Sequence, residues 1–180
     1  MTQKFYPALW FFLLSVILLV FLFGACTDDK KVKEVNEPEY QEKLIKLNKA
    51  LVDQEQDAIS DYIKRYGYSM EETKTGLHIM HLKIGDGMKP SFESEVTISY
   101  KINLLDGSYC YSSDSSGLLK FQLGKSTEPV GLQEGVLNMK EGGQALMIVP
   151  SYLAYGVTGD GDKIGSNQSL VYKVELLKVK

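Results

Sequence analysis

The residue types that usually carry covalent or metal chemistry are present in this chain, but not in working arrangements. His78 and His81 form an H-x-x-H pair, yet the surrounding alternation is that of a strand, which sends the two rings to opposite faces and argues against a shared metal ion. Ser112 and Ser113 have no base close by in sequence and read as turn residues. Gly159-Asp160-Gly161-Asp162 offers oxygen ligands but lacks the length of a calcium-binding loop and its closing bidentate glutamate; a mobile loop is the simpler reading. No metal and no cofactor is therefore expected. What remains is a dispersed set of large side chains, Tyr100, Phe121, Leu132, Tyr155, Ile164 and Tyr172. Aromatics at strand spacing are usually core; around an opening, the same residues would hold an apolar ring and offer it one or two hydrogen-bond donors. The residues alone leave both readings open.

The elements that must position these residues follow from periodicity. Pro38 fits a first helical turn, Tyr40, Leu44, Leu47 and Leu51 repeat at helical spacing, and Ala58, Ile59, Tyr62, Ile63 and Tyr66 continue the stripe to a stop at Gly67. A helix over 38–67 is expected, either continuous or broken near Asp53. It is longer than one small domain needs, so it packs on the domain, stands as a stalk, or pairs weakly with a second copy. Beyond Gly67 the period changes to two. Leu77, Ile79 and His81 face one way and His78, Met80 and Leu82 the other; Gly85-Asp86-Gly87 turns the chain; Val96, Ile98, Tyr100, Ile102 and Leu104 mark a long half-buried strand closed by Leu105-Asp106-Gly107. Helical spacing returns at 131–140 with Leu132, Val136 and Met139, Gly142-Gly143 is its exit, and strands are expected over 145–149 and 170–179. Four or more strands with one short helix predict an α+β domain whose sheet wraps that helix.

The run from Gly131 to Gly156, GLQEGVLNMKEGGQALMIVPSYLAYG, resembles the centre of the FKBP-type peptidyl-prolyl isomerases. The likeness extends through Gly85-Asp86-Gly87, Val96-Thr97-Ile98-Ser99-Tyr100, Asp106-Gly107 and the closing Leu170-Val171-Tyr172-Lys173-Val174-Glu175-Leu176-Leu177. It implies an FKBP-like antiparallel sheet around one short helix, occupying residues 76–180, and cis-trans isomerisation of proline peptide bonds. That reaction needs no nucleophile, only transfer of the amide into an apolar site that favours the twisted geometry. By the same resemblance Tyr100, Tyr111, Leu119, Phe121, Leu132 and Tyr172 would bind substrate, with Leu132 at the floor. The Tyr155 hydroxyl and the Ile164 backbone N–H would hydrogen-bond carbonyls of the peptide.

The chain departs from the family pattern on three walls. Asp106-Gly107-Ser108-Tyr109 is followed by Cys110-Tyr111, where the family has an aromatic residue and then an aspartate, so the carboxylate that would polarise the pocket is missing. Glu128-Pro129 replaces a Val-Ile pair whose isoleucine N–H binds the peptide, and proline has no N–H to give. Leu119 replaces an aromatic, and Ile164-Gly165-Ser166 an Ile-Pro-Pro. These changes imply weaker isomerase activity and poor affinity for the macrolide inhibitors of the family. They leave a rival reading, a non-catalytic chaperone or scaffold of the same fold, and a third, a structural lipoprotein.

Near the start, residues 5–23 are almost wholly apolar, with Lys4 before them and Gly24-Ala25-Cys26 after, the layout of an export signal; the span is also long enough to be an uncleaved anchor. Leu22-Phe23-Gly24-Ala25-Cys26 resembles the bacterial lipobox, which implies a signal peptide over 1–25 and a lipidated Cys26. Several acyl chains would hold the protein on a membrane at roughly 0.8 kcal/mol per buried methylene. Thr27, lacking the aspartate linked to inner-membrane retention, favours the outer membrane. Residues 26–37 read as a solvated tether. With Cys26 lipidated, Cys110 has no intrachain partner and is expected to be buried. The lipid signal, long helix and Cys110-Tyr111-Ser112-Ser113 together most resemble the isomerase lipoproteins associated with gliding motility in certain Gram-negative bacteria. Net charge is -3 and Arg65 is the sole arginine, which argues against nucleic acid as a partner. Proline-containing polypeptides and a membrane are the expected partners, and a monomer or weak dimer the expected state.

Overall fold

The computed structural model describes residues 37–180. The expected signal peptide, the lipidated Cys26 and nearly all of the tether lie outside the described residues. The chain groups into residues up to Lys43 and a compact unit, Leu44–Lys180. Within the first group the described turns carry a Lys43–Glu39 ion pair at 2.7 Å.

Helix α1 runs unbroken from Glu37 to Tyr66, so Glu37 joins the helix rather than the tether. Glu37 and Glu39 in its first turn, and Lys64 and Arg65 in its last, complement the helix dipole. Gly67 ends it in the left-handed region (φ 65°), with Gly67 N–H on Lys64 O and Tyr68 N–H on Ile63 O, a paired closure that a residue with a Cβ would strain. Only the second half of the apolar stripe is covered. Ile59 and Tyr62 are buried against Leu146, Ile148 and Val171 of the sheet, whereas Leu44, Leu47 and Leu51 are exposed.

The strands are β1 (Glu71–Glu72), β2 (His78–Lys83), β3 (Glu95–Leu104), β4 (Tyr109–Ser112), β5 (Leu119–Gln122), β6 (Gln144–Val149) and β7 (Leu170–Val179). All pairings are antiparallel, in the order β1-β2-β6-β7-β3-β4. The first half of β3 pairs with β5, Val96 opposite Phe121, and the second half with β4, Ile102 opposite Tyr111. A four-residue helix, α2 (Ser113–Ser116), links the two short strands, and Ser113 pins it to β3 by accepting the Tyr100 N–H at 3.2 Å. Ser112 and Ser113 thus end a strand and start a helix rather than making a simple turn.

The second long-range helix, α3 (Val130–Leu137), is shorter than its periodicity implies and stops at Asn138. It lies close on β6 because Gly131 and Gly135 carry no Cβ. One added at Gly131 would fall 2.4 Å from Val149 Cγ1, and one at Gly135 would fall 2.3 Å from Met147 Sδ. The main core fills the space between α3 and the sheet, with Leu77, Ile79, Ile98, Leu132, Val136, Met147, Tyr172 and Leu176 almost wholly buried. A smaller cluster on the other face of the sheet is covered by α1. Cys110 is buried in the main core, as expected, and burial pushes its thiol up.

Candidate functional site

Between α3 and the β3–β4 end of the sheet lies a hollow of about 240 Å³ bordered by Tyr100, Ile102, Tyr111, Leu119, Glu128, Leu132, Tyr155, Asp160 and Tyr172. Five expected substrate-binding residues, Tyr100, Tyr111, Leu119, Leu132 and Tyr172, meet here with Tyr155. Their positions have local causes. Tyr100 and Ile102 lie two apart on β3 and so share a face; Tyr172 sits opposite Ile102 on β7. Leu132 projects from α3 and is almost fully buried.

Two expected site residues lie elsewhere. Phe121 is buried in the core and borders a separate surface hollow with Glu95, Lys120 and Lys178; its place on β5, two residues beyond Leu119, puts it past the end of the opening. Ile164 does not border the hollow. Its side chain is buried and its N–H is already held by Asp160 Oδ1 at 2.9 Å, while its carbonyl accepts the Asp160 N–H at 3.0 Å. The donor assigned to Ile164 therefore serves the loop's own closure in this structure.

That loop, expected to be mobile, folds back on itself through its glycines. Gly159, at φ 67°, passes so near the Ile164 carbonyl that a Cβ would come within 2.3 Å of its oxygen, and the Asn167 N–H closes on Gly156 O at 2.8 Å. The turn brings Asp160 to the hollow, which corrects the expectation that no carboxylate polarises it. The Tyr111 hydroxyl donates to Asp160 Oδ2 at 2.5 Å and to Asp162 Oδ2 at 3.2 Å. Donation to Asp160 pushes the Tyr111 phenol far above its usual range. Burial pushes the Asp160 carboxyl up, but the bonds from Tyr111 and from the N–H groups of Asp162 and Ile164 outweigh it and leave the carboxyl below its usual value. Lys163 spans the same corner, its ammonium 5.0 Å from the Tyr111 ring centre and donating to Cys110 O at 2.9 Å. Cys110-Tyr111 thus takes from another segment the acid that the residue after Cys110 does not supply.

At the opposite border, Gln133 on α3 gathers the preceding loop. It accepts the Gly124 N–H at 2.8 Å and donates to Glu128 O at 2.7 Å. This fixes Glu128 beside the hollow, where burial raises its carboxyl, and buries Pro129. Tyr155 and Tyr172 are hydrogen-bonded to each other. Burial raises both phenols, Tyr172 well above its ordinary range. One of the two hydroxyls donates to the other, so a single phenol proton of the pair remains for another acceptor. Sequence reasoning put Glu128 on a wall of the pocket without giving its carboxylate a role, and it missed Asp160 as a site residue. The signal for Asp160 was present: a tyrosine in place of an expected acid, and two unassigned aspartates in a loop known to lie nearby in the fold.

Among the described residues there is no group of three or more His, Cys, Asp or Glu side chains placed to hold a metal, and no helix long and apolar enough to cross a membrane.

Residues 87–177 match the family model for FKBP-type peptidyl-prolyl cis-trans isomerases. The chain belongs to this family. It is 34% identical over 173 residues, 86% of its length, to a protein named probable FKBP-type peptidyl-prolyl cis-trans isomerase FkpA from Neisseria meningitidis serogroup B. It is 33% identical over 107 residues to one named outer membrane protein MIP from Legionella longbeachae. The matches cover 61% and 45% of those relatives' own lengths. Among solved structures, FkpA from Escherichia coli superposes over 99% of this chain and 84% of its own, with a TM-score of 0.63 and 26% identity.

Proposed function

We propose that this protein is a membrane-tethered peptidyl-prolyl cis-trans isomerase that assists exported or outer-membrane proteins to fold. The observation that carries the reading is the hollow itself: four tyrosines around the Leu132 floor, with the Tyr155 and Tyr172 hydroxyls paired at its border. Rotation about a prolyl amide is opposed by a barrier of about 18–20 kcal/mol from resonance. A pyrrolidine ring seated among Tyr100, Leu132 and Tyr172 leaves water behind, and the Tyr155 hydroxyl then holds a carbonyl of the peptide while the amide twists. Each 1.4 kcal/mol removed from the barrier is worth about ten-fold in rate.

A protease-coupled assay on a short X-Pro peptide, with the full chain in detergent, tests the reading. Acceleration over the spontaneous rate at micromolar protein, reduced in Tyr155→Phe, is expected. No acceleration by the unaltered chain refutes it.

Placement in the envelope draws support from the apolar N-terminal stretch ending at Cys26 and from the relative named an outer membrane protein. A link to gliding motility rests on the sequence resemblance described above. A second reading, a catalytically weak client-holding lipoprotein, is favoured by two observations. Pro129 has no N–H to offer, and the Ile164 N–H is engaged by Asp160. Suppressed aggregation of a proline-free client, insensitive to Tyr155→Phe, would support it.

A further inference from the structure

We propose that Glu55, on the N-terminal helix, is a positioning residue for the proline site, a role that rests on the isomerase reading above. The site does not touch α1, yet one carboxylate on that helix holds both ends of the segment that carries Tyr155 and Asp160. Glu55 Oε1 accepts the Ser151 N–H at 2.7 Å and Oε2 accepts the Ser151 hydroxyl at 3.0 Å. Oε1 also accepts the Ser169 hydroxyl. Ser151 opens the single 3-10 turn after β6, and Ser169 immediately precedes β7. Both serines are 5% exposed, so water cannot readily replace the carboxylate.

From Ser151 the connection to Tyr155 is one hydrogen bond long. The Ser151 carbonyl accepts the N–H of Ala154 at 3.0 Å and that of Gly156 at 2.8 Å, the residues on either side of Tyr155. Gly156 O in turn accepts the Asn167 N–H, which closes the loop bearing Asp160. Three residues beyond Ser169 stands Tyr172, which hydrogen-bonds Tyr155. The next residue on α1, Gln56, lies beside the Tyr152 hydroxyl of the same turn, which donates to Thr75 O at 3.0 Å. Functional groups keep their geometry only when the residues that hold them are themselves held, and here the last link of that chain belongs to a different element from the site.

A plain staple fastening α1 to the sheet would use the same bonds, so the experiment must separate the two. Full-length protein in detergent is compared with Glu55→Ala, Ser169→Ala and Ile59→Ala. The last removes buried helix packing and leaves the serines untouched. Positioning predicts that Glu55→Ala lowers kcat/KM about ten-fold and speeds amide exchange at Ala154 and Gly156 at least ten-fold, while Ile59→Ala, though it lowers Tm, stays within two-fold of the parent in both. Ser169→Ala removes a single bond and should give an intermediate effect; it decides the matter if Glu55→Ala does not fold. Equal effects in Glu55→Ala and Ile59→Ala, unchanged exchange, or faster exchange with an unchanged rate would each overturn the proposal. If the parent protein shows no isomerase activity, the functional reading fails, and the contrast in exchange still judges the coupling.

Discussion

Tyr155 shows what a single hydroxyl can contribute. Replacing Tyr155 by Phe removes one hydroxyl from the hollow and takes that partner from the buried Tyr172 hydroxyl. One hydrogen bond is worth about 0.5–1.5 kcal/mol, so kcat/KM for an X-Pro peptide should fall by up to about ten-fold, as measured in the coupled assay. His78 makes a different prediction. Its Nε2 is buried on β2 with no partner, and burial holds its pKa below the ordinary 6.5, only partly opposed by Glu72 on the neighbouring strand. The unfolded chain therefore binds a proton that the folded one resists. This contribution to stability is fully present above about pH 6.5 and is lost as pH falls toward the depressed folded value. Thermal unfolding across pH 5 to 7.5 should show this slope, and His78→Leu should flatten it. At this scale the sequence was a fair guide wherever a side chain's place follows from strand alternation, as with Tyr100 and Tyr172. It was a poor guide where a loop folds back on itself: nothing local to Asp160 says that its partner is Tyr111, and nothing local to Ile164 says that its N–H is taken.

Among elements, the long ones were legible and the short ones were not. The stripe that ends at Gly67 predicted α1 within one residue at each end, because thirty residues of one period leave little ambiguity. Strands β4 and β5, four residues each, went unrecognised. Both are edge segments set by pairing with β3 rather than by a pattern of their own, and with them went the reason that Phe121 lies past the opening. The seating of α3 depends on its glycines. Gly131→Ala would press a methyl into Val149, which is fully buried on β6 and cannot swing away. Overpacking of this kind costs about 1–3 kcal/mol, against a helix-propensity gain of at most about 1 kcal/mol. A net loss of stability in urea denaturation is expected, with a further effect on activity because the adjacent Leu132 floors the hollow.

At the largest scale, the Leu44–Lys180 unit is layered: its sheet separates two clusters, a large one under α3 and a small one under the second half of α1. The α+β class and the wrapping of the sheet around a short helix were legible because the strand and helix periods alternate cleanly after Gly67. That α1 covers the sheet's outer face was not, since its stripe reads equally well as packing, stalk or pairing surface. The proposed membrane attachment also belongs to this scale. Cys26→Ser should abolish incorporation of labelled palmitate and leave a precursor of higher mass on gels; processing that continues at the same place would reject the lipid assignment. One consequence of the layering concerns the way such a protein would age in a protease-rich compartment. Clipping within the last turns of α1 would strip Leu146, Ile148 and Val171 of their cover, turning a quiet outer wall into a sticky one. The nicked remnant would then tend to clump before its main core came apart.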